Sequence, residues 1–552
     1  MGQETEYAIR FSPDNAHPGN DKIYEYVAHA IGRHVRTEPG LYSERPQIFT
    51  QNGGAFHYEF LPYCAEGGLI EGATPECRGP GQLLLYQRAQ EALLLRALPA
   101  AERELGAHGF SGKLGLLKNC RDAEGHVYGA QESFECVLAR GPAFWLYRLG
   151  LAVLFPPLVV TLVVAWVLAL GIALGTVAVA IGTALLALFP PFRRRGWFDS
   201  ILSLEDRTVE NALGRLLYWM SYVILWPVIA AFGALLWLFA FRRVRRRALA
   251  FLVSRSVVSG AGSVVDGGRF VLSEKGPAIN AKMRFSISPN SRSVFDTGNL
   301  MKPVLAAAIF HVAPLLELFS RRQRLQLGLA DSSMLEEAEF LKLGTTALVI
   351  DMAESGWLAN APRLKRPLTA LHAIVDDPSL EATVATTRGE LTALELQRYY
   401  VEEAKAFLKQ SKATSMEASE VVEQWDEVIT VLERKDMTAL VGRLDWVTKR
   451  YLLEACGDPG DAAMLKTIDL RYHELGEGYA FQFARSGNVH KLLSPLEVER
   501  AIEEPPEDTP AFTRGRFIRS RAPNLTPVRI SWRSALIGGR LRGKLIRFPG
   551  RE

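Results

Sequence analysis

Carboxylates on strand-like segments are the residues best suited to chemistry in this 552-residue chain. Glu4 and Glu6 stand two apart in a segment from Glu4 to Phe11 that alternates like a strand, so their side chains point to one face. Glu59 closes a second alternating run, Gly54 to Phe60, and Glu71 and Glu76 bracket Gly72-Ala73-Thr74-Pro75. Carboxylates converging from several strands can hold Mg²⁺ between substrate phosphates, because that ion takes oxygen ligands and keeps coordination sites for water and nucleotide. Taken singly, each pair also reads as solvated surface. The stretch from Gly106 to Lys113 lacks the spacing of a Walker A loop, and GxSxG, HExxH and dinucleotide fingerprints are absent. Five cysteines (Cys64, Cys77, Cys120, Cys136, Cys456) form an odd set without CxxC, which suits a reducing cytoplasm and excludes a conventional zinc site.

The elements that must position these groups are interrupted. Leu149 to Phe192 runs 44 residues without Asp, Glu, Lys, Arg or His, and Leu216 to Phe241 runs another 26. All 124 charged residues fall in the other 482, about 26% of them, the usual figure for a globular protein. The chain therefore reads as a soluble body with room for two or three domains and a membrane insertion in its middle, residues 141–248. A membrane helix needs roughly 20 apolar residues, so the first stretch is too long for one unkinked span and the second suits one tilted span. Pro156, Pro157, Pro190 and Pro191 punctuate the first, and Pro227 sits inside the second. The clusters Arg193 to Arg195 and Arg242 to Arg247 mark cytoplasmic ends by the positive-inside rule. Flanking segments that form one fold must share a side, so the number of crossings is even. Two crossings are preferred; the alternative folds each stretch into a hairpin with every cluster inside. The chain opens Met-Gly-Gln-Glu-Thr-Glu with no apolar run, so a signal peptide is not expected.

Elsewhere the pattern is mixed α and β, with helical spacing over Tyr86 to Leu105, Thr392 to Gln410 and Met416 to Glu433. The turn-rich Glu503 to Thr509 precedes a tail, Thr513 to Glu552, with eleven basic residues and one acidic. That tail reads either as a solvated basic face or as a dock for an acidic protein or an anionic leaflet.

As a set, the segments resemble the Pup ligase and Pup deamidase (depupylase) family. Gly2-Gln3-Glu4-Thr5-Glu6-Tyr7 is similar to its opening Gly-x-Glu-Thr-Glu-aromatic-Gly. Asn52-Gly53-Gly54-Ala55-Phe56-His57-Tyr58-Glu59 resembles Asn-Gly-Ala-Arg-x-Tyr-x-Asp, and Glu71 to Cys77 resembles Pro-Glu-Tyr-Ala-Thr-x-Glu-Cys. Lys118-Asn119-Cys120-Arg121-Asp122 through Tyr128-Gly129-Ala130-Gln131-Glu132-Ser133 is similar to Lys-Asn-Asn-x-Asp through Tyr-Gly-x-His-Glu-Asn. Beyond the insertion the pattern resumes at Phe251 to Arg255, Gly260 to Gly262, Asp331 to Glu336 and Leu341 to Thr345.

The resemblance implies an α+β fold: a glutamine-synthetase-like (carboxylate-amine ligase) sheet cradle over 1–140 and 249–480, with a small basic C-terminal domain, 481–552. It implies ATP and Mg²⁺ as cofactors and, as partner, a small acidic Pup-like modifier whose C-terminal Glu or Gln side chain reacts. Modified proteins, here membrane proteins, membrane lipid and an indirect link to the proteasome complete the expected partners; nucleic acid is not among them. By carry-over, Glu4, Glu76 and Glu132 are expected at the metal, Arg255 and Asn119 at the nucleotide or substrate cradle, and Glu59 at the catalytic Asp. A carboxylate there can act as a base toward lysine or water, or as a nucleophile toward an amide. Three departures bear on activity. Glu59 is one methylene longer than Asp, Gln131 replaces a titrating His, and Asp296 to Lys302 carries Gly298 and Lys302 where the family's Asn-Thr-Arg-Asp-Glu-Pro-His has Arg and His. Lys302 or Arg292 are the candidates to replace the missing charge. Segments Asp377 to Ala385, Leu432 to Met437 and Glu504 to Thr509 are closer to the deamidase branch, although its long loop before the Asn-Gly segment is missing or much shortened. The expected function is therefore deamidase-like isopeptide hydrolysis at a membrane, with ligation through a γ-glutamyl phosphate, or a non-catalytic tether that binds the modifier, as alternatives.

Overall fold

The structure, a computed structural model, describes residues 1–41, 46–61, 67–186, 207–284, 291–307, 313–410, 415–456, 458, 460–487, 489–521, 526–539 and 543–548. The Arg193 to Arg195 cluster, with Pro190 and Pro191, lies outside them. The fold is α+β, and its centre is a ten-stranded mixed sheet. The long strand β1 (Gly2–Pro13) has β5 (Gly68–Ala73) on one edge and shares the other between β7 (Gln131–Val137) and β6 (Gly112–Leu117). Outward from β5 come β4 (Ala55–Phe60), β3 (Gln47–Thr50) and β2 (Thr37–Pro39). A hairpin, β8 (Ser263–Val265) with β9 (Arg269–Val271), stands apart. Outward from β7 lie β12 (Arg322–Leu327), β11 (Ser293–Asp296) and β10 (Ala281–Arg284), the last pair parallel.

Alternation in β1 separates two faces, as the sequence pattern predicts. Gln3, Thr5 and Tyr7 are buried against the helix Pro80–Ala107, where the Nε2 groups of Gln87 and Gln90 each donate to the Tyr7 hydroxyl at 3.0 Å. Gly72 permits this approach, since a Cβ there would meet Gln90 Nε2 at 1.9 Å. Glu4 and Glu6 face the other way. The sequence-expected helices are present as Pro80–Ala107, Ala393–Gln410 and Met416–Glu433, the last capped by the Ser415 hydroxyl.

The first uncharged stretch is one helix, Pro142–Leu186, which continues through Pro156 and Pro157 and does not form a hairpin. At ~1.5 Å per residue its 45 residues reach about 67 Å. It packs along a second helix, Arg207–Phe239, through Tyr147, Leu151, Leu158 and Leu162 against Leu225, Val228, Ile229, Phe232 and Leu235. Gly150 leaves room for the Leu235 side chain, because a Cβ there would lie 2.4 Å from Leu235 Cδ1. Where the pair rejoins the body, Phe241 N donates to Leu138 O at 2.7 Å. Only 11% of the apolar window in Pro142–Ala178 is buried, so this is not the core helix of a globular body; it is long and apolar enough to cross a membrane.

At the C-terminal end, the helix Pro510–Ser520 and a three-stranded sheet, Val528–Ile530, Ser534–Ile537 and Lys544–Arg547, close over the β2–β4 end of the large sheet. Ile518, Val528 and Ile530 pack there on Phe49 and Ala55.

Candidate active site

Register brings the carboxylates of three strands into one row. Glu6 of β1 lies opposite Glu71 of β5, which lies opposite His57 of β4. Residues directly opposite in an antiparallel pair have Cβ atoms roughly 5 Å apart, so the row is continuous. His57 Nε2 sits 2.9 Å from Glu71 Oε2 and 3.9 Å from Glu59 Oε2, two residues along on the same face. Glu6 Oε2 accepts from Gly129 N at 2.8 Å. Burial, and then the charge of Glu71, push the Glu6 carboxyl up to about 7. One row further, burial opposes ionisation of Glu4, but Arg324, bonded at 2.7 Å, and then Lys302 outweigh it and hold Glu4 at about 2.

A divalent cation fits this row. His57, Glu59 and Glu71 can each turn a ligand atom to within 4.8 Å of the others, and a cation there would relieve the repulsion between Glu6 and Glu71. The donor set is oxygen-rich with one imidazole, which suits Mg²⁺ or Mn²⁺. Around the row stands a basic rim. The charges of Lys275 and Arg292 act on Glu6, and that of Lys302 acts on Glu4. Lys275 Nζ is held by Ala130 O at 2.9 Å and Arg292 Nη2 by Val127 O at 2.9 Å. Lys302 is exposed on the helix Gly298–Ala307, whose start is fixed by Asp296 Oδ1 accepting from Gly298 N at 2.7 Å. Thus both basic residues put forward from sequence do lie where their charge reaches the acidic row.

The carboxylates expected at the metal are each bound to a different arginine: Glu4 to Arg324, Glu76 to Arg514 at 2.5 Å, and Glu132 to Arg255 at 2.8 Å. Among the described residues, the two groups of three that could share an ion, His57, Glu59 and Glu71 and, on a separate turn, Asp122, Glu124 and His126, contain none of them. Glu132 stands opposite Gln3, on the helix side of the sheet, fully buried. Its partner Arg255, 4% exposed, also donates to Thr346 Oγ1 at 2.6 Å and to Leu329 O. The structure therefore places Glu132 and Arg255 together behind the sheet rather than on the row with Glu4 and Glu6. Glu76 fastens the C-terminal domain, since Arg514 also donates to Gly53 O at 2.7 Å. Asn119 spans a turn, with Nδ2 donating to Arg121 O at 2.6 Å and to the Tyr128 hydroxyl at 2.8 Å. Glu59 lies on the cradle face at the end of β4.

Sequence reasoning passed over Arg324 and the candidate ligand His57. The signal for Arg324 was present: Arg322, Arg324 and Gln326 alternate, so a strand puts them on one face. Gln131, at the family's His position, also faces the row and accepts from Gln326 Nε2.

Comparison with known proteins places this geometry in context. A Pup--protein ligase of Arthrobacter sp. (strain FB24) is 23% identical over 529 residues, covering 94% of this chain and 88% of the relative. A Pup deamidase/depupylase of Mycolicibacterium smegmatis is 34% identical over 316 residues, 55% of this chain and 59% of the relative. The crystal structure of the ligase PafA in complex with Pup superposes with a TM-score of 0.67 at 19% identity, covering 100% of this chain and 90% of that one. PafA in complex with ADP gives 0.62 at 19% identity, covering 98% and 93%. At those identities the structures speak for the fold: the same α+β architecture built on a large mixed sheet. The family model of the Pup-ligase protein matches residues 1–536, and the chain belongs to this family of enzymes.

Proposed function

We propose that this protein is a nucleotide- and Mg²⁺-dependent enzyme that hydrolyses the isopeptide or γ-amide bond at the C-terminal Glu or Gln of a Pup-like modifier, on a membrane surface. One observation carries the reading: an acidic row, Glu6, Glu71, His57 and Glu59, bordered by Arg324, Lys302, Arg292 and Lys275. An acidic floor with a basic rim matches a metal–polyphosphate ligand, the floor taking the cation and the rim the phosphate oxygens. ADP in the PafA structure supports a nucleotide, and Pup in the other supports an acidic modifier as partner. The sheet then serves as a glutamine-synthetase-like cradle.

His57, Glu59 and Glu71 would hold the metal, whose charge would offset that of the phosphates and polarise the reacting carbonyl. The chain's own chemistry centres on Glu59. Its second carboxylate oxygen either takes the proton of an attacking water and passes it to the departing amine, or attacks the amide carbon directly, the C–N bond breaking as the amine takes a proton from solvent and leaving an anhydride that a water then opens. His57 stands between the two carboxylates, 3.9 Å from Glu59 Oε2 and 2.9 Å from Glu71 Oε2. Lys302, exposed and without a carboxylate partner among the described residues, supplies positive charge at the rim. The 34% identity to the deamidase supports hydrolysis. Ligation through a γ-glutamyl phosphate is the second reading, favoured by ligases that match over 94% of the chain.

The apolar helix pair is read as inserted in a bilayer, with the sheet on the cytoplasmic side, so that membrane proteins are the natural substrates. The deciding experiment incubates purified protein, nucleotide and Mg²⁺ with a Pup-conjugated protein and, separately, with free Pup and a lysine acceptor. Release of free modifier, abolished by Glu59→Ala, is expected. New conjugates with ATP turnover would establish ligation instead, and binding without either reaction would leave only a tether.

A further inference from the structure

The acidic row is not the only built site. Where the apolar helices join the body, a chamber of about 900 Å³ is walled by seven arginines and a single carboxylate, Glu354. The arginines come from four separate places: Arg140 after β7, the short helix Arg242–Arg247 (Arg242, Arg243, Arg246, Arg247), the loop residue Arg363, and Arg388 in a hairpin turn. Glu354 offsets little of this charge: it lies 3.7 Å from Arg140 and also accepts from Val137 N at 2.6 Å. Arg247 and Arg388 are aimed by neutral acceptors, Ala353 O at 3.1 Å and Asn360 O at 2.6 Å, which fix position without cancelling charge. Burial, and then Arg243, hold the Arg247 guanidinium below its usual range. Packing like charges around a cavity is unfavourable unless an anion enters it.

The other walls identify the anion's source. Leu238, Phe239 and Ala143, from the roots of the two apolar helices, line the same chamber. Trp145, two residues beyond Ala143, and Trp237, next to Leu238, are 66% and 55% exposed, and Arg148 stacks on the Trp145 ring at 5.4 Å. Aromatic rings with cationic neighbours at the end of an apolar helix are what a headgroup region accommodates. A free phosphate ion needs no apolar wall; a phosphodiester on a glycerol backbone does.

We propose that this chamber binds the phosphodiester headgroup of an anionic phospholipid, coupling the enzyme to negatively charged membrane. The inference rests on the membrane reading above. An occupied chamber fixes the angle between the helix pair and the sheet, because its walls belong to both.

The test uses the full-length chain in mild detergent, titrated with dioctanoyl phosphatidylglycerol, dioctanoyl phosphatidylcholine, inorganic phosphate and an acidic hexaglutamate peptide, followed by tryptophan fluorescence and native mass spectrometry. Saturable phosphatidylglycerol binding at least tenfold tighter than phosphatidylcholine is expected. Arg243→Gln with Arg246→Gln, both exposed and remote from the acidic row, should reduce the preference below threefold while leaving hydrolysis of a soluble conjugate unchanged. Equal binding of the two lipids, an undiminished preference in the double variant, or phosphate or peptide binding as tightly as phosphatidylglycerol overturns the proposal. A separate carbonate wash of protein reconstituted in phosphatidylcholine vesicles tests the membrane reading alone. Extraction removes that reading and this inference together, whereas retention without a lipid preference removes only the inference.

Discussion

Arg255 and Glu132 offer the sharpest test of structure against carry-over, since the family resemblance puts them at nucleotide and metal while the structure pairs them behind the sheet. Replacing Arg255 by Met removes the 2.8 Å ion pair and the bonds to Thr346 Oγ1 and Leu329 O, and leaves the fully buried Glu132 carboxylate, whose Oε1 already has no hydrogen-bond partner, without a counter-charge. Removing one partner of a buried pair costs about 3–5 kcal/mol, chiefly through the stranded charge. At about 1 °C per kcal/mol for a chain of this length this lowers Tm by roughly 3–5 °C. Glu132→Gln on the Arg255→Met background removes that charge and should return more than half of the loss. The assay is a thermal melt of wild type, both single variants and the double, with nucleotide affinity measured on each folded sample. A double variant no more stable than Arg255→Met, or a single variant that keeps its Tm but loses nucleotide affinity by more than tenfold, refutes the structural assignment and restores the ligand role.

Other expectations concern the row, the rim and the core. Glu71→Gln should weaken Mn²⁺ binding at least about tenfold, read by electron paramagnetic resonance, with little change in fold. Lys302→Ala should weaken nucleotide binding by about three- to tenfold, and the loss should shrink at high ionic strength; a salt-independent loss would place Lys302 elsewhere. Burial lifts the Asp445 carboxyl from 3.8 to about 6, against bonds from the Tyr472 hydroxyl and Met334 N. The folded chain therefore holds a proton that the unfolded chain has lost between those values, so stability falls as pH rises through that window and stays reduced above it, by about 3 kcal/mol. Asp445→Asn should raise Tm most above pH 6 and least near pH 4. Arg514→Met should cost about 2–4 kcal/mol and expose the C-terminal domain to limited proteolysis, since Arg514 joins Glu76, Gly53 and Trp532.

Period and composition made much of this molecule legible. The two-residue spacing of Glu4 and Glu6 fixed their shared face, because side-chain alternation is local, and absence of charge fixed the apolar helices. Strand neighbours are a long-range property, which is why the row Glu6, Glu71, His57 and the pairing of Arg324 with Glu4 beside it emerged only from register. The same limit explains Glu132. Its motif position was readable, but its face depends on pairing with Gln3 and on an arginine more than a hundred residues away.

The root of the helix pair has a geometric consequence. Strand β7 begins at Gln131, beside Glu4, and ends at Val137, within a turn of the point where Leu138 is bonded to Phe241. Seven residues at ~3.3 Å each make a ruler of about 23 Å between the helix root and the edge of the acidic row. With the helices in a bilayer, the strand sets a working height. On the proposed membrane reading, lysines on juxtamembrane segments or short loops would lie within that height, whereas a conjugate on a distal domain would reach the site only if its linker folded back.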